Sequence, residues 1–254
     1  MNVSDKKYFK EYSKRIGCRI DDLIGKFDFS EKNGKFEYLT KASAVYSSNI
    51  EGNGVDLNSY MNYELSKKKF KAGKEIEEIE NLISAYNFAR KNNLNEKNFL
   101  TVHKLLAETL LIKSKRGKYR TEPIGVFGRT GLEYLAVEPE FVKTYMSRLF
   151  EEVEELNAKE LSPEEVFYFA SLIHLRIAHI HPFADGNGRV ARLAEKWFVA
   201  NKLGKEFWKI PSEEYYKNNQ NKYYQTMNLG VNFYELDYDK CIDFLVLLPR
   251  CLQK

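Results

Sequence analysis

The chain has 254 residues, of which 43% are hydrophobic and 14% aromatic, so a substantial core can form and wholesale disorder is excluded. The net charge of +4 is small for this length: it allows a phosphate-bearing ligand and makes a nucleic-acid partner improbable. The three cysteines are widely spaced, the N-terminal stretch is polar, and no apolar run approaches the ~20 residues of a membrane span. We therefore expect a cytoplasmic protein with reduced thiols and no membrane partner.

Helical periodicity dominates the chain, and no composition shift marks a linker. We expect one compact domain, in which residues 1–70 form an N-terminal helical part that includes a helix ending near Gly52. Two segments then carry their apolar residues on one helical stripe. The stripes are Ile76, Ile79, Leu82, Ile83 and Tyr86, and Phe99, Val102, Leu105, Leu106 and Leu110.

Residues 121–138 break the helical pattern. They hold three glycines and one proline, with Pro139 directly after them and short apolar runs on both sides of "GRTG". This composition predicts a β-hairpin inside an otherwise helical protein.

Helices are predicted again from residue 139 onward, over 139–157, 187–203, 212–228 and 238–249. Between the first two, Ser162 with Pro163 and Glu165 forms a capping-box pattern for a helix that runs to about residue 180. The apolar residues of that helix are so dense that we expect it to be buried on most sides.

The stretch "HPFADGNGRVAR", residues 181–192, follows this buried helix. Gly186, Asn187 and Gly188 suit a tight turn at the start of the next helix, where converging N–H groups and the helix dipole favour an anion. Arg189 and Arg192 are three residues apart, so both point from one helix face and suit a polyphosphate.

Two further residues of the same loop can carry chemistry. His181 is the one candidate base there, and Asp185 is placed for Mg²⁺, which favours a carboxylate together with phosphate oxygens. An EF-hand fails because Val190 and Lys196 stand where glycine and glutamate are needed, and no further histidine follows to complete a zinc site. The combination predicts phosphoryl or nucleotidyl transfer.

The stretch matches the signature HxFx(D/E)GNGRxxR and thereby resembles the Fic family of protein adenylyltransferases. The matching positions are His181, Phe183, Asp185, Gly186, Asn187, Gly188, Arg189 and Arg192. The resemblance covers most of the chain and implies a mainly α-helical Fic fold, a helical bundle with a β-hairpin flap over the active site. Residues 71–254 would then form the Fic core, with the flap at about 121–138 after the lead-in "GKYR".

The resemblance implies that His181 takes the proton of a target hydroxyl, which attacks the α-phosphate of ATP. Asp185 would hold Mg²⁺ or Mn²⁺, residues 186–188 would cradle the phosphates, and Arg189 and Arg192 would hold the β- and γ-phosphates. By the same resemblance, the expected nucleotide contacts include Tyr223, Tyr224 and Asn228, and the expected flap residues for target docking are Ile124, Gly125, Val126 and Phe127.

"SSNIEG", residues 47–52, resembles the inhibitory motif (S/T)xxxE(G/N) of one Fic class, on a helix over about 40–52. Ser47 and Glu51 are four residues apart and share a helix face. We expect Glu51 to pair with Arg192 and so to hold ATP binding in check. The basic stretches at 67–71 and 113–120 are expected to be solvated surface, and His103 and His174 to be core or supporting histidines.

Several functions remain open beside adenylylation of a protein Ser, Thr or Tyr hydroxyl. The same site could run backwards and remove AMP, or use another nucleotide or a phosphocholine carrier as donor. A non-catalytic toxin–antitoxin or nucleic-acid-binding module is the alternative from another class. The sequence leaves the target, self-modification and homo-oligomer formation undecided.

Overall fold

Helices make up most of the part of the chain that the structure describes, which is residues 1–30, 36–66, 73–128 and 131–253 of a computed structural model. One two-stranded hairpin interrupts them. The α-helices are α1 (Phe9–Ile16), α2 (Ile20–Lys26), α3 (Phe36–Ile50), α4 (Leu57–Ser66), α5 (Lys74–Ala89), α6 (Glu96–Leu106), α7 (Pro139–Ala158), α8 (Pro163–Ile180), α9 (Asn187–Leu203), α10 (Ser212–Asn218), α11 (Gln220–Met227), α12 (Ile242–Leu245) and α13 (Leu247–Arg250). None of the described helices is both long and apolar enough to cross a membrane.

Helices α8 and α9 pack against each other at the centre of the protein, and the loop of residues 181–186 joins them. The predicted capping box of α8 is confirmed: the Ser162 hydroxyl accepts from the Glu165 N–H, and the Glu165 carboxylate accepts from the Ser162 N–H at 2.8 Å. Helix α8 is buried along most of its length, as its apolar density predicts. These two helices therefore place the central loop on a rigid base.

The N-terminal part is joined to the rest by α3, which packs on α5 and α10. Its buried residues belong to the same hydrophobic cluster as those of α8 and α9. The proposed division at residue 70 stays a prediction, because one cluster spans both sides of it.

The predicted hairpin is confirmed, with strands β1 (Gly125–Gly128) and β2 (Gly131–Leu135) in antiparallel pairing. Val126 pairs with Tyr134 and Phe127 with Leu132, so a bulge lies between the two pairs. On its other edge β2 is partly covered, because the Leu135 N–H donates to the Val231 carbonyl at 2.9 Å.

Two of the predicted C-terminal helices are interrupted. The helix predicted over 212–228 divides into α10 and α11 at Asn219, whose side-chain amide donates to the Tyr215 carbonyl at 2.9 Å and competes with the helix. The segment 238–249 begins as a 3₁₀ helix and continues as α12 and α13. Pro249 has no N–H for the Leu245 carbonyl, which accepts from the Ser171 hydroxyl instead.

Candidate active site

His181 ends α8 in a left-handed conformation, with φ 52° and ψ 59°. Among the described residues it is the non-glycine residue with positive φ. Its Nδ1 lies 3.2 Å from the Ala178 carbonyl, so we assign the proton to Nδ1, which leaves the lone pair on Nε2. Burial lowers the pKa of His181 below its usual value, so the ring is neutral and can accept a proton at neutral pH.

Asn187 holds the loop in shape. Its side-chain oxygen accepts from the Phe183 N–H at 2.8 Å and its side-chain nitrogen donates to the Phe183 carbonyl at 2.8 Å. Both ends of the side-chain amide are engaged in the loop, so the backbone N–H of Asn187 stays the group expected to face an anion.

His103 supports the same loop from α6, which agrees with a supporting histidine. Its ring stacks on Phe183 with 3.5 Å between ring centres, its Nδ1 accepts from the Gly117 N–H, and its Nε2 lies 3.0 Å from the Asp185 carbonyl. Burial lowers the pKa of His103 to about 4, so the ring stays neutral. The loop is thus fixed from inside before any ligand binds.

The N-terminus of α9 lies directly after the loop, where the sequence predicts an anion cradle. Gly186 precedes the helix with φ 81°, and the first N–H groups of a helix lack partners within it. A methyl group added at Gly188 would clash with Oε1 of Glu51. The Glu51 carboxylate therefore lies directly over the cradle.

Arg192 is buried and makes four polar contacts. Its Nη2 lies 2.6 Å from Oε1 of Glu51 and 3.0 Å from the Ser47 carbonyl, and its Nε donates to the Ser47 hydroxyl at 3.0 Å. Its Nη1 donates to the Tyr223 hydroxyl at 3.2 Å. The predicted partners Glu51, Ser47 and Arg192 are therefore brought together.

Arg189 is held differently. Its Nη2 lies 3.5 Å from Oε2 of Glu78 on α5, and its buried Nε has no hydrogen-bond partner among the described residues. Burial acts to raise the pKa of Glu51, but the positive charges of Arg192 and Arg189 outweigh it and lower the pKa. Both arginines therefore stabilise the negative charge of the Glu51 carboxylate, which is ionised at neutral pH.

Asp185 lies on the exposed side of the loop. Across residues 1–30, 36–66, 73–128 and 131–253 there is no group of three or more His, Cys, Asp or Glu side chains placed to hold a metal ion. His179, which is close in sequence, is instead bound to Tyr238 and to the Met227 carbonyl. A cation at Asp185 would need ligands from a substrate.

The Fic/DOC family profile matches residues 93–199, which include His103, the hairpin and the whole of the central loop. Residues 93–199 of the chain therefore match the Fic domain. "Protein adenylyltransferase Fic" of Culex quinquefasciatus is 28% identical over 199 residues, and "Protein adenylyltransferase Fic" of Drosophila yakuba is 35% identical over 75 residues. These matches cover 74% and 30% of this chain but only 37% and 14% of the two relatives.

Solved structures confirm the Fic fold. A Fic family protein from Desulfovibrio desulfuricans G20 aligns with a TM-score of 0.77 at 22% identity, over 97% of this chain and 73% of the other. A Fic domain containing signaling protein from Bacteroides thetaiotaomicron VPI-5482 aligns with a TM-score of 0.66 at 21% identity, over 95% and 92% of the two chains. The mainly α architecture with a hairpin flap is therefore that of the Fic fold.

The expected nucleotide contacts after the Fic loop are less direct than the sequence suggests. Tyr223 is only 1% exposed and lies behind Arg192, so it reaches an anion only through that side chain. Tyr224 is exposed, and its hydroxyl donates to the Ile50 carbonyl at 3.0 Å. Asn228 lies at the exposed end of α11, where its side-chain oxygen accepts from the Gly230 N–H.

The end of α3 is held by donors that the sequence does not reveal. The Gly52 and Asn53 N–H groups donate back to the Asn49 and Ser48 carbonyls, which closes the helix in a Schellman turn at Gly52. The carbonyls of Asn49 and Ile50 also accept from side chains of α10 and α11. These donors are Lys217, Gln220 and Tyr224.

The expectation of a solvated surface at 113–120 is wrong for Arg120, which is only 4% exposed. Its guanidinium donates to backbone carbonyls of the flap and of the His181 loop, and a cation with that many buried partners cannot be displaced to the surface. The sequence of residues 113–120 contains no pattern that would indicate a buried arginine bound to backbone carbonyls. The other basic stretch, 67–71, lies outside the described residues.

Among the described residues of the flap, the outer edge of β1 is not paired with another strand. The Ala136 N–H donates to the Ile124 carbonyl at 3.1 Å, so residues 124 and 126 face β2, and by alternation Gly125 and Phe127 direct their backbone groups outward. Val126, expected as a docking residue, therefore pairs inside the hairpin. Backbone donors for an added strand come from its two neighbours.

Proposed function

We propose that this Fic domain transfers AMP from ATP to a hydroxyl of a protein Ser, Thr or Tyr side chain, and that Glu51 restrains it. The observation that carries the proposal is the Glu51 carboxylate over the N-terminus of α9, 2.6 Å from Arg192. An ionised carboxylate at that place supports an anion-binding role for the helix N-terminus, and a phosphate would have the same requirement. The adenylyltransferase names of the two insect relatives support ATP as the donor.

The base is His181. Its Nε2 lone pair takes the proton of the target hydroxyl, the hydroxyl oxygen bonds to the α-phosphorus, and the bond from that phosphorus to the bridging oxygen of the β-phosphate breaks. AMP stays on the target and pyrophosphate leaves. A positioned base of this kind contributes about 10²–10⁴-fold to a rate.

The phosphates would be held by α9 and its arginines. The N–H groups around Gly188 supply the cradle, and Arg189 offers a buried Nε that lacks a partner among the described residues. Arg192 would clamp the outer phosphates once it is free of Glu51.

One residue of the site, Asp185, is suited to bind Mg²⁺ or Mn²⁺. The exposed Asp185 carboxylate would hold the ion together with phosphate oxygens, which suits an ion that favours one or two carboxylates. When bound, the ion would neutralise charge that develops on the phosphates.

Glu51 restrains the site by occupying Arg192 and by placing negative charge where ATP needs to place its own. Ser47 adds two of the four contacts that fix Arg192. ATP could bind in this state, but its outer phosphates would lack their clamp.

The target would add an extended segment to the outer edge of β1, where Gly125 and Phe127 direct their backbone groups outward. This edge lies on the flap beside the His181 loop, because the Tyr134 hydroxyl donates to the His179 carbonyl at 2.7 Å. The protein itself is one candidate target.

A donor panel tests the proposal. The Glu51→Gly variant is incubated with Mg²⁺ and a cell lysate, and with ATP, GTP, CTP, UTP or CDP-choline in turn, and modified proteins are identified by mass. We expect addition of AMP from ATP, and loss of that addition in Glu51→Gly/His181→Ala. Addition of phosphocholine or of another nucleotide in preference to AMP would overturn the choice of donor.

Removal of AMP from a modified protein is the second candidate, because the same carboxylate that blocks ATP could orient a water molecule. The negative charge of Glu51 acts to raise the pKa of His181, which supports a shared role for the two groups. Purified AMP-modified target is incubated with the parent and with Glu51→Gln. Faster release of AMP by the parent than by the variant would favour removal as the main activity.

A further inference from the structure

Arg120 connects two parts of the Fic domain that the proposed reaction needs together. It stands between α6 and β1, and it donates to the loop that carries His181 as well as to both ends of the flap. We infer that Arg120 is a positioning residue that fixes His181 in its left-handed conformation and couples the base to the flap. The inference rests on the proposed function.

On the loop side, Arg120 serves three consecutive carbonyls. Its Nε donates to the His181 carbonyl at 2.7 Å, its Nη2 to the Ile180 carbonyl at 3.3 Å, and its backbone N–H to the Pro182 carbonyl at 2.9 Å. A histidine with φ 52° is in a sparsely populated conformation that persists only where surrounding contacts determine it. The Arg120 side chain supplies the contacts to the carbonyls of residues 180 and 181, and its backbone N–H supplies the contact to residue 182.

On the flap side, Arg120 reaches the chain before β1 and after β2. Its Nη1 donates to the Glu122 carbonyl at 3.0 Å, and its Nη2 donates to the Val137 carbonyl. Tyr134 of β2 adds a second connection through the His179 carbonyl. A displacement of either flap end is therefore transmitted to the backbone of residues 179–182.

Arg120 is buried, and a buried charged side chain is not explained by a need to fill space alone. Burial lowers the pKa of its guanidinium, so the charged form is kept at an energetic cost, and no carboxylate lies within ion-pair distance among the described residues. An apolar side chain of the same volume would avoid this cost. An apolar side chain could not supply the planar set of N–H donors that the guanidinium offers to the four carbonyls.

The position of Arg120 predicts which kinetic constant changes. Arg120 contacts neither the cradle of α9 nor Arg189 or Arg192, so affinity for ATP should be preserved. A base displaced by about 1 Å can lose on the order of 10²-fold in rate. Loss of the guanidinium should therefore lower kcat and leave KM for ATP unchanged.

The test compares Arg120→Gln and Arg120→Lys with Arg116→Gln, all in the Glu51→Gly background. Arg116 is the matched control, because it also donates to a backbone carbonyl, that of Leu111, away from the His181 loop. We expect kcat to fall 10- to 100-fold in Arg120→Gln, with KM for ATP within threefold, and Arg120→Lys to lie between Arg120→Gln and the Glu51→Gly parent. Arg116→Gln should keep its kcat.

Amide hydrogen exchange, followed without substrate, gives a readout that does not depend on activity. Arg120→Gln should speed exchange in both 121–138 and 178–186, while α5 and α9 keep their protection, and Tyr134→Phe should do the same to a smaller extent. Exchange that rises throughout the domain, or in one of the two segments alone, would overturn the coupling. Unchanged kcat, or equal changes in kcat and KM, would overturn the positioning role.

The two proposals fail in different ways. If Glu51→Gly adds no AMP to any protein, the proposed function fails, and hydrogen exchange alone then decides the coupling. If Glu51→Gly is active and Arg120→Gln is equally active, only the role of Arg120 fails.

Discussion

Replacing Glu51 by glycine removes the anion that lies over the cradle and leaves the end of α3 intact. The Schellman turn uses only backbone groups of residues 48–53, and glycine is well tolerated at the end of a helix. Arg192 keeps its two contacts with Ser47 and loses its short contact with the carboxylate. The variant should therefore fold as the parent does and bind ATP productively.

The size of the effect follows from the geometry of the pair. The two charged atoms are 2.6 Å apart, and the side chains of Arg192 and Glu51 are 1% and 29% exposed. Two charges ~4 Å apart near a protein surface attract by about 4 kcal/mol. Solvent around the exposed part of the carboxylate screens this, so we take about 2 kcal/mol for the pair. That energy corresponds to roughly a 30-fold gain in productive ATP binding.

The assay is intact-mass spectrometry after incubation with ATP and Mg²⁺, with added AMP as the signal. We expect at least tenfold more AMP in Glu51→Gly than in the parent, and a similar gain in Glu51→Gln, which keeps the volume and removes the charge. Glu214→Gln is the matched control, because Glu214 contacts α3 through the Tyr46 hydroxyl and does not touch Arg192. It should behave as the parent.

The Arg192→Ala variant distinguishes loss of the ion pair with Glu51 from loss of the phosphate clamp. It breaks the same pair but also removes the clamp for the outer phosphates, so it should stay inactive, alone and combined with Glu51→Gly. If Glu51→Gly carried no more AMP than the parent, or if Arg192→Ala matched Glu51→Gly, restraint through this pair would be refuted.

Four further predictions use the Glu51→Gly background. His181→Ala should lower AMP transfer by about 10²–10⁴-fold and leave ATP affinity by calorimetry within a few-fold; transfer within a few-fold of the parent would contradict its role as the base. Asp185→Ala, or EDTA, should reduce transfer of label from ATP by at least tenfold, and full activity in EDTA would exclude a role for a divalent cation. Burial lowers the pKa of His181, so the ring is already deprotonated at neutral pH. We therefore expect kcat to rise with pH only below about 6.5 and to stay level from pH 7 to 8. A rise of kcat that continues through pH 8 would contradict this. Gly125→Pro should weaken target modification on gels without changing target-independent ATP hydrolysis, whereas Val126→Pro, which removes an inward donor, should also destabilise the hairpin; equal modification by both variants and the parent would count against strand addition.

The elements that the sequence predicted well depend on neighbouring residues. The capping box at Ser162 and the glycines of the hairpin act within a few positions of the chain, and the structure confirms both elements. Pro249 is an equally local signal, and its missing N–H accounts for a break that helical periodicity alone overlooks. Local signals were therefore sufficient for the architecture, apart from the interrupted C-terminal helices.

The stretch of residues 181–192 could also be recognised as a candidate phosphate site, because the base, the predicted cradle and the arginines are contiguous. Their surroundings could not. Tyr223 lies behind Arg192 because α9 and α11, which are separate in sequence, meet only in the fold. The hydrogen bonds between the Asn187 side chain and Phe183 span only four residues, but they depend on the shape of the folded loop.

The amino-acid sequence by itself determined the helices, the hairpin and the chemical groups of the loop, because each is specified by residues within one or two helical turns. Only the tertiary structure decided which groups meet across the fold. Glu51 and Arg192 are 141 positions apart and come together because the end of α3 packs against α9, and Arg120 reaches the His181 carbonyl 61 positions away. Such contacts arise from burial of the shared core, which no local pattern of side chains encodes.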